Sequence, residues 1–277
     1  MDSLQKLDRE AVLAARQALV PVRGQGWLGG FANMLGKEMG DWFQTRRWII
    51  NTILWLALIN GFTAIILFVV PNTQPTTAGS PPLGILGMST FFSLASQFGV
   101  IGMIIIAQDE IIREKQTGTA AWILSKPVSR QAFILTKLLA NLAGSTLFIL
   151  IVPMVVGLVE FALVNTYPAF LPYLEGAGVV FLGLLFYLTL VLMLGVLFES
   201  RAAVLGIAFG VMFGSMILVQ LVPQLAYILP TNLQNIAGGL AVGQAMPAQA
   251  LWQLAATAVW SLLFTGIAVW RFLDLEF

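Results

Sequence analysis

Residues Ile49 to Val70 read IINTILWLALINGFTAIILFVV, an apolar run without one ionisable side chain, closed by Pro71-Asn72. About 20 helical residues cross a hydrocarbon core roughly 30 Å thick. Within lipid the backbone must satisfy its own polar groups, so such a run has to be a helix. Five further runs of similar length follow, and spans are expected over about 49–70, 83–107, 138–164, 176–198, 202–222 and 248–270. Only the third holds an acid, Glu160, near its end.

Composition carries the same message. Apolar residues make up 58% of the 277, charged residues 10%, and mean hydropathy is +0.89. A soluble domain is about a quarter charged, so most of this exterior must face lipid. The sequence predicts an all-α polytopic membrane protein: residues 1–48 as cytoplasmic or interfacial amphipathic helices, then a transmembrane domain of six helices over 49–277.

Orientation follows from Lys and Arg. With the N-terminus inside, the external loops are 71–82, 165–175 and 223–247, and none contains a Lys or Arg. All 14 basic residues fall on the other side. Both termini are therefore expected in the cytoplasm of a multi-pass protein. No cleavable signal is expected, because the stretch Ala11–Val20 is broken by Arg16. The long loop 223–247 is too interrupted by Pro and Gly to span, and short helices dipping into the outer leaflet are expected there.

The missing residues exclude chemistry. His is absent and so is Cys, which removes Ser–His and Cys–His catalysis, imidazole and thiolate metal ligands, and disulfides. No catalytic or metal-binding set is expected. An intramembrane enzyme would need an Asp pair or a Ser–Lys pair inside the bilayer, and no suitable pair exists. A net charge of +1 gives no electrostatic case for nucleic acid. No G-x-x-x-x-G-K-[ST] phosphate loop occurs, so ATP hydrolysis by that route belongs to another subunit.

Two cytoplasmic pieces stand out. Apolar positions from Leu4 to Leu19 repeat at helical spacing, and the linker 21–26 breaks the pattern. A second amphipathic helix is expected from about Leu28 to Arg47. Its apolar stripe is Leu28, Phe31, Leu35, Met39, Trp42 and Phe43, while Lys37, Glu38, Asp41, Gln44 and Arg46 face away. Such a helix lies in the interface plane. It reads either as a passive anchor or as an elbow that passes motion to the first span, with Lys37, Glu38, Trp42, Arg46 and Arg47 as its working residues.

The connection 108–130 is longer than a turn between spans requires. Gly118 interrupts the helix leaving span two, and Thr117 or Thr119 is placed to cap a short helix through Leu124. Pro127 ends that helix and Ser129 is placed to cap the next. Trp122, Ile123 and Leu124 offer an apolar contact, bracketed by Glu110, Arg113, Glu114 and Lys115 and by Lys126 and Arg130. The helix of span three continues back through Gln131, so its first turns, with Lys137, are expected to project into the cytoplasm, and Pro153 is expected to kink it.

The string Glu114-Lys115-Gln116-Thr117-Gly118-Thr119, followed by Pro127-Val128-Ser129-Arg130 and Lys137, resembles the ABC-2 type permeases, with their E-x-x-x-G-T and P-[VI]-S-R segments between spans two and three. The resemblance implies a subunit in the bacterial plasma membrane that dimerises with a second copy or close homologue. It implies binding to separate ABC-type ATPase subunits, which hold ATP and Mg. It places Glu114, Gly118 and Thr119 at or near a coupling helix that fits a cleft in the ATPase; with the loop's own Glu110, Arg113, Trp122, Lys126 and Arg130 they make up the candidate coupling residues. The function implied is an ATP-driven exporter; the alternative is an anchor or mechanotransmitting subunit that moves no cargo.

Polar residues within spans are costly and each needs a reason. Ser93, Ser96 and Gln97 share one face of span two, Asn60 lies in span one and Glu160 in span three. The hydroxyls and amides line a translocation path or simply bond helix to helix, and Glu160 reads either as an interfacial acid facing the outer aqueous vestibule or as a gate or substrate contact.

Overall fold

The computed structural model describes residues 26–73 and 81–275, and the predicted helix over 4–19 lies outside them. Among the described residues, six helices are long and apolar enough to cross a membrane. Helix α1 (Phe31–Phe43) precedes them. The spans are α2 (Arg47–Val69), α3 (Leu83–Ala107), α6 (Arg130–Leu163), α7 (Phe170–Leu197), α8 (Arg201–Leu221) and α10 (Ala248–Leu273). Two short helices, α4 (Ile112–Gln116) and α5 (Thr119–Leu124), connect α3 to α6, and α9 (Leu233–Ala241) lies between α8 and α10. The chain is a multi-pass membrane protein.

Helix α7 is the central post: 83% of its apolar window is buried, against 22% for α8 and for α10. A helix apolar all round and buried all round is a core helix, whereas the outer faces of α8 and α10 are left for lipid. Small residues let neighbours approach closely. A side chain at Gly176 would stand 2.9 Å from the Ala237 carbonyl, and one at Gly238 would stand 2.9 Å from the Ser89 carbonyl. Helix α9 therefore packs into α3 and α7 and buries Leu233, Ile236 and Leu240.

Boundaries depart from the sequence reading in places. Helix α7 begins at Phe170, ahead of the expected Gly176, because Pro172 falls in the first turn, where the missing N–H has no helical partner anyway. Helix α6 is one continuous rod from Ser129, whose Oγ accepts the Ala132 N–H at 3.1 Å. Ahead of Pro153 its turns widen to π geometry over Thr146–Ile151, the local response to a residue that cannot donate. The rod ends in a Schellman motif: Asn165 adopts φ 53, Thr166 N–H reaches the Phe161 carbonyl and Asn165 N–H that of Ala162.

Candidate functional site

Glu110 and Glu114 sit on the connection leaving α3, one helical turn apart. The sequence places Glu110 beside the candidate docking helix and the resemblance places Glu114 at or near it. Both are buried, at 4% and 6% exposure. The reason is Lys137, 1% exposed on α6, whose Nζ lies 3.1 Å from Glu114, 3.3 Å from Glu38 and 3.8 Å from Glu110. The Lys137 side chain is therefore packed inside the protein. It fills the gap between three carboxylates.

Two cations complete the cluster. Lys37 reaches Glu38 at 3.0 Å and Glu114 at 3.2 Å, and Arg47 reaches Glu110 at 2.9 Å. Arg47 also donates to Asn141 Oδ1 at 3.1 Å and lies 4.2 Å over the Trp42 ring. Three cations and three carboxylates leave the cluster formally neutral. Neutrality matters, because an unpaired buried charge is far more costly than a paired one. Burial pushes the Glu38 carboxyl up, but the facing Lys137 and Lys37 ammonium groups outweigh it and hold it below the usual carboxylate range. Burial likewise lowers Lys37, yet Glu38 and Glu114 leave it raised.

Glu38 was expected on the polar face of α1. The buried face of that helix is Met34, Glu38 and Trp42, at four-residue spacing, so the acid points inward. Trp42 is 1% exposed and stacks on Phe148 of α6, and a side chain at Gly144 would come within 2.3 Å of its ring. Helix α1 is thereby wedged onto α6, while Phe43 and Arg46 stay exposed. Ahead of it, the Ser129 N–H donates to the Gly29 carbonyl at 2.9 Å and its Oγ donates to the Trp27 carbonyl.

The rest of the connection braces other helices. Lys115 donates to the Val196 and Phe198 carbonyls at 3.1 and 3.3 Å, and Gln116 to that of Glu199, capping the end of α7. Arg201 pairs with Asp109 at 3.4 Å. Arg130, expected to flank a docking surface, donates to the Phe272, Leu273 and Leu275 carbonyls at the end of α10.

What remains outward is α5. Gly118 has φ 70, ends α4 and starts α5, with no side-chain cap from Thr117 or Thr119. Thr117 Oγ1 instead donates to the Arg113 carbonyl and pairs with Thr119 Oγ1 at 2.8 Å. Ala120 and Ile123 are buried, whereas Trp122 is 62% exposed with Lys126 Nζ 3.5 Å over its ring. Arg113 is exposed nearby.

The polar residues of the spans separate into two groups. Asn60 donates to the Pro153 carbonyl at 3.1 Å and to Glu160 at 3.3 Å, so these two join α2 to α6. Ser93 bonds back to the Ser89 carbonyl beside α9, whereas Ser96 and Gln97 line a small cavity between α3, α7 and α8. Sequence reasoning missed the junction because its partners lie far apart in the chain. One signal was present: Glu110 and Glu114 flank Ile111-Ile112, and Lys137 lies among apolar residues on a continuous helix.

Residues 48–273 match a family described as "Protein of unknown function (DUF2705)", and the chain belongs to that family. No curated protein matches it.

Proposed function

We propose that the chain is the transmembrane permease subunit of an ATP-driven ABC transporter, an exporter of the bacterial plasma membrane. Both termini lie in the cytoplasm, a second copy completes the translocation unit, and ABC-type ATPase subunits bind ATP and Mg. One observation carries the reading: α5 offers an exposed Trp122 on a connection whose root is ion-paired to α1, α2 and α6. A push on α5 would reach three elements together. Helix α1 then acts as the elbow and α5 as the coupling helix.

The test is capture of a candidate ABC-type ATPase co-expressed with the chain, using wild type, Trp122→Glu and Lys126→Glu. Both side chains are exposed, so the variants should keep wild-type thermal unfolding and lose the ATPase. If both variants still hold the ATPase and transport normally, α5 is not the docking element. The cavity at Ser96 and Gln97, only about 50 Å³, favours a second reading, in which ATP-driven motion passes to a partner and no cargo moves. Cargo-stimulated ATP hydrolysis in proteoliposomes separates the two.

A further inference from the structure

The segment after α8 gathers carboxamides. A 3₁₀ turn, Pro223–Tyr227, is pinned to α10 by Gln253 Nε2 donating to the Ala226 carbonyl and by Trp260 Nε1 donating to that of Ile228 at 3.1 Å. Asn235 donates to Asn232 Oδ1 at 2.6 Å at the start of α9. Between this segment, α8 and the start of α10 opens a groove of about 400 Å³, lined by Gln220, Asn232, Gln234, Gln249 and Gln253. That volume falls within the usual range of small-molecule sites. Among the described residues, no Asp, Glu, Lys or Arg lines it.

The groove has a floor. Met216, Thr231 and Gln234 also border the smaller cavity that reaches Ser96, Val179 and Tyr187. Ser96 is 7% exposed, and its Oγ is buried without a hydrogen-bond partner. A buried hydroxyl left unpaired calls for a partner from outside the chain.

We propose that groove and floor form one binding site for an uncharged amphiphile, with a head rich in hydroxyl groups among the carboxamides and an alkyl end toward Val179 and Met212. Each carboxamide offers two donors and an acceptor, which matches hydroxyls that both donate and accept. An ionic head would lose its hydration here and meet no counter-charge. Binding requires no ATPase, so the site stands or falls apart from the permease reading.

The experiment uses the full chain in nanodiscs of neutral phospholipid and three photoprobes with the same diazirine-bearing octyl chain, ending in glucoside, sulfate or trimethylammonium. The glucoside probe should label residues 212–220 and 231–253 roughly tenfold above either charged probe, a difference of about 1.4 kcal/mol. Gln249 is exposed, so Gln249→Glu should fold normally and shift labelling toward the trimethylammonium probe, a gain that misfolding cannot produce. Equal labelling by all three heads, labelling spread over lipid-facing α2, or an unchanged preference in Gln249→Glu would each overturn the site.

Discussion

Lys137 Nζ and Glu114 Oε1 meet at 3.1 Å, joining the first turns of the long helix α6 to the short connection that precedes it. Lys137 also faces Glu38 and Glu110, so a single ammonium holds α1, α4 and the end of α3 around α6. Lys137→Met should leave three carboxylates against Lys37 and Arg47 alone. Removing one partner of a buried set costs about 3–5 kcal/mol. Adding Glu114→Gln should recover much of the loss, because the charges again balance. Thermal unfolding in detergent of the two singles and the double gives the coupling; strict additivity would mean that the pair does not interact.

The spans were legible in the sequence because hydropathy needs no partner: Ile49–Val70 must be a helix whatever packs beside it. The Ser129 cap and the short helix ending near Leu124 were legible too, since caps and Pro127 act locally. The junction was not. Whether Glu38 faces in or out depends on where Lys137 lies, and amphipathic periodicity scores an acid as polar regardless of a buried cation opposite. Of the stripe Leu28, Phe31, Leu35, Met39, Trp42 and Phe43, only Trp42 belongs to the buried set; the buried face is rotated toward Met34 and Glu38.

Gly144 and Trp42 test that packing. A side chain at Gly144 would stand 2.3 Å from Trp42 Cδ2, so Gly144→Val should displace the indole. Overpacking of this kind costs about 1–3 kcal/mol. Tryptophan fluorescence should move to longer wavelength, compared with a Trp42→Phe control that assigns the signal. Unchanged emission and unchanged unfolding would mean that α1 is held by its charges alone.

Gly30 and Gly118 share a left-handed backbone, φ 75 and φ 70, but not their surroundings. A side chain at Gly30 would lie 2.8 Å from Val128 Cγ2 and 3.1 Å from the Pro127 carbonyl, whereas none of the described residues stands within 4 Å at Gly118. Both Ala variants incur the left-handed penalty, roughly 1–2 kcal/mol. Gly30→Ala adds a clash that should part Trp27 and Gly29 from Ser129. It should therefore unfold at a lower temperature than Gly118→Ala and expose residues 27–30 to faster hydrogen exchange. Equal losses at the two sites would argue against that docking.

The junction should respond to pH in a definite direction. Burial raises the Glu38 carboxyl, but Lys137 and Lys37 more than offset this and leave it below its ordinary range. A carboxyl lowered by folding binds its proton more readily when unfolded, so its contribution is full above the unfolded value, about 4.3. It is lost as pH falls below that value and through the lower folded one. Lys37 is the opposite case: raised when folded, it contributes fully below the unfolded value of about 10.4 and less as pH rises through the folded one. The attachment of α1 should hold through neutral pH and weaken at either extreme. Glu38→Gln should flatten the acid limb and, because Glu38 is one of the two carboxylates that raise Lys37, also shrink the alkaline limb, leaving the part that Glu114 sustains, read from unfolding temperature against pH. An acid limb identical in Glu38→Gln would move the sensitivity to another carboxylate, and α1 would then need a different explanation for its hold on α6.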